Sequence, residues 1–284
     1  MKKLLFLLDT DPYASVFDTV VAYDGGADRV TGYANVTPNN VGALVDGTIF
    51  TRGGKDKQNT AIFVGGGDMA KGEALFTAVK KKFFGPFRVS IMLDPNGSNT
   101  TAAAGVALLA KAGKLGKKAV VLAGTGPVGM RAAALLAQAG ADVTLTSRSK
   151  ERADNAAKAV EKRFGVKVTP LQAADDDARG KAVKDAQIVF AAGAIGCQLL
   201  KKSDWQNNPN IEMLADVNAQ PPLGIEGIEA TDKGKDYDGK LVFGALGIGG
   251  LKLKLHRGCI KQLFESSEGV LDAEEIYALA KDMA

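Results

Sequence analysis

The sequence predicts an α/β protein with two domains, each built on a parallel β-sheet. Short apolar runs alternate with alanine-rich helical stretches, which is the pattern of parallel strands joined by helices. The 34 glycines among 284 residues suit many tight turns between strands and helices. This length is enough for two modest hydrophobic cores. We expect residues 1–112, completed by 251–284, to form one domain and residues 113–250 to form the other.

The first domain is expected to contain three strands whose following turns meet at one edge of the sheet. The strands are predicted at 3–8, 59–64 and 88–93, with helices at 15–23, 68–83 and 98–111. Ligands of open parallel sheets bind beyond the carboxyl ends of the strands. The turns at 9–12, 65–68 and 94–101 therefore define a predicted binding edge. The segment 24–57, rich in glycine and charge, is interpreted as a subunit-contact or substrate loop.

The second domain is predicted to begin after a linker at 112–118. Its strands are expected at 119–123, 142–146, 166–170, 187–191, 211–216 and 241–243. Helices are expected between most of these strands. An amphipathic helix at 273–284 ends the chain and is expected to return to the first domain.

The composition excludes several classes of function. No apolar run approaches the ~20 residues of a membrane span. The short apolar run near the N-terminus is followed directly by Asp9, which favours a buried strand over a signal peptide. Two cysteines and one histidine make neither a disulfide framework nor a multi-histidine zinc centre, so no metal is expected. The net charge of +4 comes from scattered lysines, which does not suggest nucleic-acid binding. We expect a cytoplasmic protein with neither nucleic-acid nor membrane partners.

A glycine-rich turn between a predicted strand and an alanine-rich helix indicates a dinucleotide site. Its G-x-G-x-x-G motif consists of Gly124, Thr125, Gly126, Pro127, Val128 and Gly129. The first glycine permits a tight turn, the second lets the backbone approach a pyrophosphate at the helix N-terminus, and the third lets helix and strand pack closely. Proline in the first helical turn costs no hydrogen bond. A glycine-rich turn without a ligand is the alternative.

The end of the next strand predicts which dinucleotide binds. NAD sites carry an acidic residue there, about 20 residues beyond the glycines, to bond the ribose hydroxyls. This chain instead has Ser147 and Arg148, with Arg152 close behind. A guanidinium can donate paired N–H bonds to a 2′-phosphate, so the pattern predicts NADP. A solvated basic helix start is the alternative interpretation.

Two later turns are expected beside the cofactor because they follow successive strands of the same sheet. The first contains Ala192, Gly193, Ala194 and Ile195, and we expect it against the adenosine side. The second contains Asn218 and is expected to border the nicotinamide. Plain turns without cofactor contact would have the same sequences.

Several long motifs resemble one enzyme family. They are VTGYANVTPNNVGALVDGTIFTRGGKDKQNTAIFVGGGDMAKGE, NGSNTTAAAGVAL, AGTGPVGMRAAALLA, NAQPPLGIEGIEATDKGK and FGALGIGGLKLKLHR. Over essentially its whole length the chain resembles the NADP-dependent methylene-tetrahydromethanopterin dehydrogenases of methylotrophic bacteria. It is most similar to the type that also accepts methylene-tetrahydrofolate.

The resemblance implies an NADP-binding Rossmann domain, a smaller parallel α/β domain and an active site in the cleft between them. It also implies a homo-oligomer, with a trimer as the expected form, and tetrahydromethanopterin or tetrahydrofolate substrates. The implied reaction moves a hydride from the methylene bridge to NADP⁺ and leaves a methenyl cation. Two adjacent nitrogens stabilise that cation, so no strong acid–base group is required, and none is evident in the sequence.

The segment 244–257 supplies the candidate catalytic residues. By analogy with folate dehydrogenases, its glycines are expected to form a flexible turn beside the substrate, and Gly249 is expected to contact the pterin. A following lysine could bond pterin oxygens, and we prefer Lys254 over Lys252. The Leu–Lys alternation also fits a half-exposed strand. His256 is interpreted as a structural or interface residue.

The predicted binding edge supplies the candidate substrate contacts. Carboxylates and amides suit the N–H and carbonyl groups of a pterin, which selects Asp9, Asp94, Asn96, Ser98 and Asn99. Capping of the helix that starts at 98 would explain Ser98 or Asn99 equally well.

Two other functions remain compatible with the sequence. A shikimate-type NADP dehydrogenase would move a proton as well as a hydride and would need a Lys–Asp pair. A non-catalytic NADP-sensing module would bind the cofactor without turning over a reduced pterin.

Overall fold

The computed structural model describes residues 1–284, which fold into two compact units. The first unit comprises Met1–Thr100 and Leu253–Leu279, and the second comprises Thr101–Lys252 and Ala280–Ala284. The sequence places the first boundary at the 112–118 linker, whereas the structure places it inside the preceding helix. The structure also assigns the last five residues to the second unit.

Twelve strands and ten helices alternate along the chain. The strands are β1 (Leu4–Asp9), β2 (Arg29–Tyr33), β3 (Thr60–Gly65), β4 (Ser90–Leu93), β5 (Lys118–Leu122), β6 (Asp142–Ser147), β7 (Thr169–Gln172), β8 (Ile188–Ala191), β9 (Met213–Asp216), β10 (Lys233–Tyr237), β11 (Lys240–Phe243) and β12 (Val270–Leu271). The helices are α1 (Val16–Asp24), α2 (Gly42–Phe50), α3 (Met69–Lys81), α4 (Ser98–Ala112), α5 (Pro127–Gln138), α6 (Lys150–Phe164), α7 (Asp176–Ala182), α8 (Lys202–Trp205), α9 (Ala245–Gln262) and α10 (Ala273–Met283).

The first unit contains a five-stranded sheet in the order β12-β4-β3-β1-β2, with every pair parallel. The central strand β3 is buried along its whole length, as expected of a strand covered on both faces. Ile62 and Val64 of this strand pack with Val45 and Ile49 of α2 in one apolar cluster. The carboxyl ends of β1, β3 and β4 therefore lie at one edge, as the sequence predicts.

The second unit contains a seven-stranded sheet in the order β10-β11-β9-β8-β5-β6-β7. All of its pairs are parallel except the hairpin of β10 with β11. Taken without that hairpin's edge strand, the connectivity is the 3-2-1-4-5-6 order of dinucleotide-binding domains. The chain order reverses between β5 and β8, so the ligand is expected at the carboxyl ends of these two strands.

The segment 24–57 departs from its interpretation as a loop, because it contains β2 and α2. Strand β2 is short and exposed at the sheet edge, which weakens the apolar signal in its sequence. The edge strand β10 is also exposed, and the edge strand β12 has only two residues, so the sequence predicts neither of them.

The segment 244–257 forms neither the expected flexible turn nor a strand, because all of its residues after Gly244 belong to helix α9. Ile248, Leu251 and Leu255 are buried at helical spacing, and this period decides the structure over the two-residue Leu–Lys alternation. Gly247 is required by packing, since a Cβ there would lie 1.9 Å from the carbonyl oxygen of Asp232. Glycine at this position therefore allows two backbone segments to lie in close contact and does not mark a turn.

No helix of the structure combines the length and the apolar character that a bilayer crossing requires. The two cysteines are free thiols in different surroundings. Cys197 is exposed, whereas Cys259 is buried in α9, and burial raises the pKa of its thiol. No cluster of three or more His, Cys, Asp or Glu side chains that could hold a metal ion is present.

Candidate nucleotide site and binding edge

The glycine-rich turn follows β5 and leads directly into α5. The N–H of Gly124 donates to the carbonyl oxygen of Thr146 (2.9 Å), and the N–H of Ala123 donates to the Oγ1 of Thr146 (3.2 Å). Ala123 adopts a left-handed conformation with φ of 51°, which costs a residue with a Cβ about 1–2 kcal/mol. Strand β6 thus holds the turn in place, and α5 begins directly after it, beyond the carboxyl end of β5.

The three glycines of the motif differ in the space available for a Cβ atom. A Cβ at Gly124 would lie 2.6 Å from Cγ of Leu145, and a Cβ at Gly129 would lie 2.7 Å from Cα of Gly124. A Cβ at Gly126 would meet nothing within 4 Å. The first and third glycines are therefore demanded by packing, whereas the second leaves space over the N-terminus of α5. This space fits the close approach of a pyrophosphate.

The rest of the motif lies at the first turn of α5. Pro127 is its first residue, where a proline needs no hydrogen-bond acceptor. Thr125, Pro127 and Val128 are all partly exposed beside the unfilled space. The strand, the turn and the helix start lie where the sequence predicts them, and contact of these residues with a cofactor stays a prediction.

Ser147 is buried at the last position of β6, and Arg148 is exposed immediately after it. The side-chain amide of Gln172 donates to the carbonyl oxygen of Arg148 (3.1 Å), which fixes the backbone from the neighbouring strand. The Oγ of Ser149 caps α6 by accepting from the N–H of Arg152. Arg148 and the exposed Arg152 therefore stand at a helix N-terminus beside the nucleotide turn, an arrangement suited to a phosphate.

The turn after β8 lies beside the nucleotide turn, because β8 pairs in parallel with β5 up to Leu122 and Ala191. Ala192 and Gly193 are partly exposed. Ala194 and Ile195 are fully on the surface. Contact of this turn with the adenosine side of a dinucleotide stays a prediction.

Asn218 is buried and engaged within its own turn. Its Nδ2 donates to the carbonyl oxygen of Pro222 (3.1 Å), and its Oδ1 accepts from the N–H of Gln220 (3.1 Å). The buried carboxylate of Asp216 accepts from the N–H groups of Asn218 (2.9 Å) and Ile225 (3.0 Å). Burial raises the pKa of Asp216, and these bonds oppose the rise. Both side chains thus shape the loop at the end of β9.

In the first unit, Asp9 organises the turn after β1. Its Oδ1 accepts from the N–H of Asp11 and its Oδ2 from the N–H of Ser15, both at 2.9 Å. Burial raises the pKa of Asp9, and the two backbone bonds counteract that rise. The side chain is 1% exposed. It is therefore placed to hold the turn rather than to meet a ligand directly.

Asp94 has a comparable role at the end of β4. Its Oδ1 accepts from the N–H groups of Asn99 (2.8 Å) and Thr100 (3.1 Å), so Asp94 satisfies the first turn of α4. Capping of this helix by Ser98 or Asn99, the alternative to ligand contact, is therefore not what the structure shows. The Oγ of Ser98 donates to the carbonyl oxygen of Pro95, and the Nδ2 of Asn99 donates to that of Leu93 (2.6 Å). All three side chains are buried.

Asn96 is the exposed member of the predicted substrate set. It has a left-handed φ of 53°, which asparagine tolerates better than most residues. Its N–H donates to the carbonyl oxygen of Gly66 (2.7 Å), and the N–H of Gly67 donates to Oδ2 of Asp11 (2.8 Å). The turns after β1, β3 and β4 are thus bonded into one surface, as the strand ends predicted.

The candidate residues of α9 differ in exposure. Lys254 is exposed, whereas Lys252 and Gly249 are partly exposed. His256 is fully buried, and its ring packs edge-on against Phe63 with centroids 5.4 Å apart. This environment agrees with a structural role for His256.

Comparison with known proteins places this arrangement in a family. Residues 16–96 match the family model described as methylene-tetrahydromethanopterin dehydrogenase, N-terminal. Residues 112–223 match the model described as putative NAD(P)-binding. The chain is 71% identical to the "Bifunctional protein MdtA" of Methylorubrum extorquens strain AM1, over 100% of this chain and 99% of the relative. It is 32% identical, over the same shares, to that strain's "NAD(P)-dependent methylenetetrahydromethanopterin dehydrogenase".

The chain belongs to the methylene-tetrahydromethanopterin dehydrogenase family. The predicted family, α/β fold and nicotinamide cofactor class are therefore confirmed. Among solved structures, a quinate dehydrogenase from Corynebacterium glutamicum in complex with NAD has a TM-score of 0.54 at 13% identity, covering 98% of both chains. At that identity the likeness supports the fold alone.

The sequence did not predict that these polar side chains bond backbone groups of their own turns. Asp216 was not selected, although it carries the loop in which Asn218 was selected. An acidic residue followed two positions later by asparagine at a strand end is a pattern typical of side-chain-bonded turns. That pattern was available in the sequence and favours turn formation over ligand contact.

Proposed function

We propose that this chain oxidises 5,10-methylene-tetrahydromethanopterin with NADP⁺ to the methenyl form in one-carbon metabolism. The observation that carries the proposal is family membership along the full length, including the nucleotide turn. We propose 5,10-methylene-tetrahydrofolate as a second substrate. The reacting centre, a methylene carbon between two nitrogens, is the same in both molecules.

The choice of NADP over NAD is supported by the residues after β6. Arg148 and Arg152 stand at the position where NAD sites carry an acidic residue. When bound, NADP⁺ supplies the hydride acceptor at its nicotinamide C4. The chain's part at this site is to hold the pyrophosphate at the N-terminus of α5 and the 2′-phosphate at Arg148.

The substrate-side residues are proposed to orient the pterin rather than to move a proton. The methylene carbon loses a hydride, and the positive charge that remains is shared by its two nitrogens, so the donor releases no proton. Asn96 presents an exposed amide on the binding edge, and Asp9 and Asp94 keep the bonded turns in place. Orientation of this kind can account for much of a rate enhancement. The predicted position of the active site in a cleft stays a prediction.

The decisive assay mixes purified protein with each methylene pterin and NADP⁺ and follows the methenyl absorbance. We expect turnover with methylene-tetrahydromethanopterin, and with methylene-tetrahydrofolate as a second substrate. Cofactor binding without turnover of either pterin would indicate a sensing module and contradict the proposal. Oxidation of a hydroxy acid, with a rate that depends on an acid–base pair, would indicate the shikimate-type alternative.

Lys254→Ala is expected to lower kcat about tenfold or more, because it removes a positive group proposed to bond the pterin. The KM for NADP⁺ should not change, since the nucleotide turn lies on other elements. Lys261→Ala, which removes an exposed lysine from the last turn of the same helix, serves as the matched control. Equal kinetics of the two variants would remove Lys254 from the catalytic machinery and direct attention to Lys252.

We also propose a cytoplasmic location, since NADP is a cofactor of that compartment, and a homo-oligomeric state. The trimer implied by the sequence resemblance is the expected form. The assay above does not depend on either proposal, and sedimentation of the purified protein measures the second directly.

A further inference from the structure

Asp11 is fixed from several sides in the turn that follows β1. Its N–H donates to Oδ1 of Asp9 (2.9 Å), and its carbonyl oxygen accepts from the N–H of Asn35 (2.8 Å), just beyond β2. Its Oδ2 accepts from the N–H of Gly67 (2.8 Å), in the turn after β3. The ends of three strands therefore hold this carboxylate in one place, which is what a ligand-binding side chain requires.

The second carboxylate oxygen of Asp11 is open. Oδ1 makes no hydrogen bond within the protein, the carboxylate has no basic partner, and the side chain is partly exposed. The nearby Asp9 has a pKa that is raised mainly by burial and in part by the negative charge of Asp11. An N–H donor from a ligand would therefore meet both an unused acceptor and an unbalanced charge, and such charge-assisted hydrogen bonds are the stronger kind.

Asn96 belongs to the same bonded surface as Asp11. Its N–H donates to the carbonyl oxygen of Gly66 (2.7 Å), while Asp11 accepts from the N–H of Gly67. Consecutive Cα atoms lie about 3.8 Å apart, so Asn96 and Asp11 are bonded to neighbouring residues of one turn. The side-chain amide of Asn96 is exposed and makes no hydrogen bond within the protein. The turn after β3 thus brings together a group that only accepts and a group that can donate.

This pair of side chains matches the amide edge of a pterin. That edge carries two neighbouring donors, the ring N3–H and the 2-amino group, followed by the acceptor O4. A carboxylate can accept hydrogen bonds from both donors, and an asparagine amide can donate to the carbonyl oxygen. The edge has the same groups in tetrahydromethanopterin and in tetrahydrofolate, so one pair of residues serves both molecules.

We propose that Asp11 binds the N3–H and 2-amino groups of the substrate pterin, while the amide of Asn96 donates to its O4. The assignment rests on the proposed function, which supplies the pterin. Asp11 contacts the ligand directly, whereas the buried Asp9 holds the turn. The amide edge lies on the side of the ring away from the methylene carbon, so Asp11 determines the affinity and orientation of the substrate and takes no part in hydride transfer itself.

Asp11→Asn tests this contact in steady-state kinetics. In either orientation of the new amide, its NH₂ group faces another N–H, that of Gly67 or those of the pterin. The KM for both methylene pterins should rise about 10- to 100-fold, as expected for loss of a hydrogen bond to a charged group, and the KM for NADP⁺ should not change. Glu268→Gln makes the same carboxylate-to-amide change at an exposed position before β12 and should have no effect. Equal KM values in the two variants would overturn the assignment.

A ligand without the 2-amino group separates direct contact from a structural role of Asp11. In calorimetry, the wild-type protein should bind tetrahydrofolate about tenfold or more tightly than 2-desamino-tetrahydrofolate. Asp11→Ala should bind the two ligands equally, because deleting both partners isolates the contact between them. An Asp11→Ala variant that keeps the wild-type preference would show that Asp11 only supports the turn, and the assignment would be wrong. Failure of the wild-type protein to bind or oxidise either pterin would instead contradict the proposed function and, with it, this assignment.

Discussion

Replacing Arg148 with alanine is expected to raise the KM for NADP⁺ about 10- to 100-fold and to leave the KM for NAD⁺ nearly unchanged. The two cofactors differ only at the ribose 2′ position, so a residue that bonds the 2′-phosphate affects one of them alone. A hydrogen bond to a charged group contributes about 1.5–3 kcal/mol, which corresponds to this range of affinity. Steady-state kinetics with both cofactors at saturating methylene pterin measure the effect.

The controls for Arg148 come from the same helix. Arg152→Ala should show a smaller loss for NADP⁺, because its side chain leaves the first turn of α6 three positions beyond the cap residue Ser149. Arg163→Ala, in the last turn, should change neither cofactor. A loss of NADP⁺ and NAD⁺ affinity to the same extent in Arg148→Ala would show that the guanidinium supports the loop and does not distinguish the phosphate.

The nucleotide site could be predicted from the sequence because its pattern is local. Gly124, Gly126 and Gly129 lie within six residues, and the strand that precedes them is continuous and apolar. Arg148 follows at the end of the next strand, which the same supersecondary unit places alongside. Neither step requires knowledge of contacts between distant parts of the chain.

Helix α9 could not be predicted in the same way, because the evidence for it is not local. Leucines and lysines alternate over 251–255, which fits a strand as well as one face of a helix. Gly247, Gly249 and Gly250 suggest a turn as long as only the local sequence is known, and Gly244 precedes them. A Cβ at Gly244 would lie 2.2 Å from the carbonyl oxygen of Glu229. That contact joins residues fifteen positions apart, so the packing role of the glycine cannot be predicted from the local sequence.

Polar residues at strand ends present a different ambiguity. Asp9, Asp94 and Asn218 were selected as ligand contacts, and the structure shows each bonding backbone groups of its own turn. Both roles require a short polar side chain at the carboxyl end of a strand. Exposure separates them: Asn96 remains on the surface while the others are buried. Burial follows from packing and is not visible in a single sequence.

Gly129→Ala is expected to destabilise the second unit by about 1–3 kcal/mol, the usual cost of forcing a group into a packed site. An alanine inside a helix ordinarily stabilises it by about 1 kcal/mol relative to glycine. Here the added methyl group would lie 2.7–2.8 Å from the backbone of Gly124, which cannot rotate away as a side chain can. Helix α5 must then move away from β5. Thermal or denaturant unfolding measures the change.

Gly126→Ala is expected to weaken NADP⁺ binding without changing stability, because the space over the N-terminus of α5 is proposed to hold the pyrophosphate. Gly126 has φ of −78° and ψ of 169°, which alanine adopts without strain, and its Cβ would meet no atom of the protein. Unfolding should therefore be unchanged, whereas the Kd for NADP⁺ should rise about tenfold or more through loss of close backbone bonds to a charged group. Unchanged NADP⁺ affinity in this variant would place the pyrophosphate elsewhere. The two alanine substitutions, three residues apart, thereby separate the glycine that the fold requires from the glycine that the ligand requires.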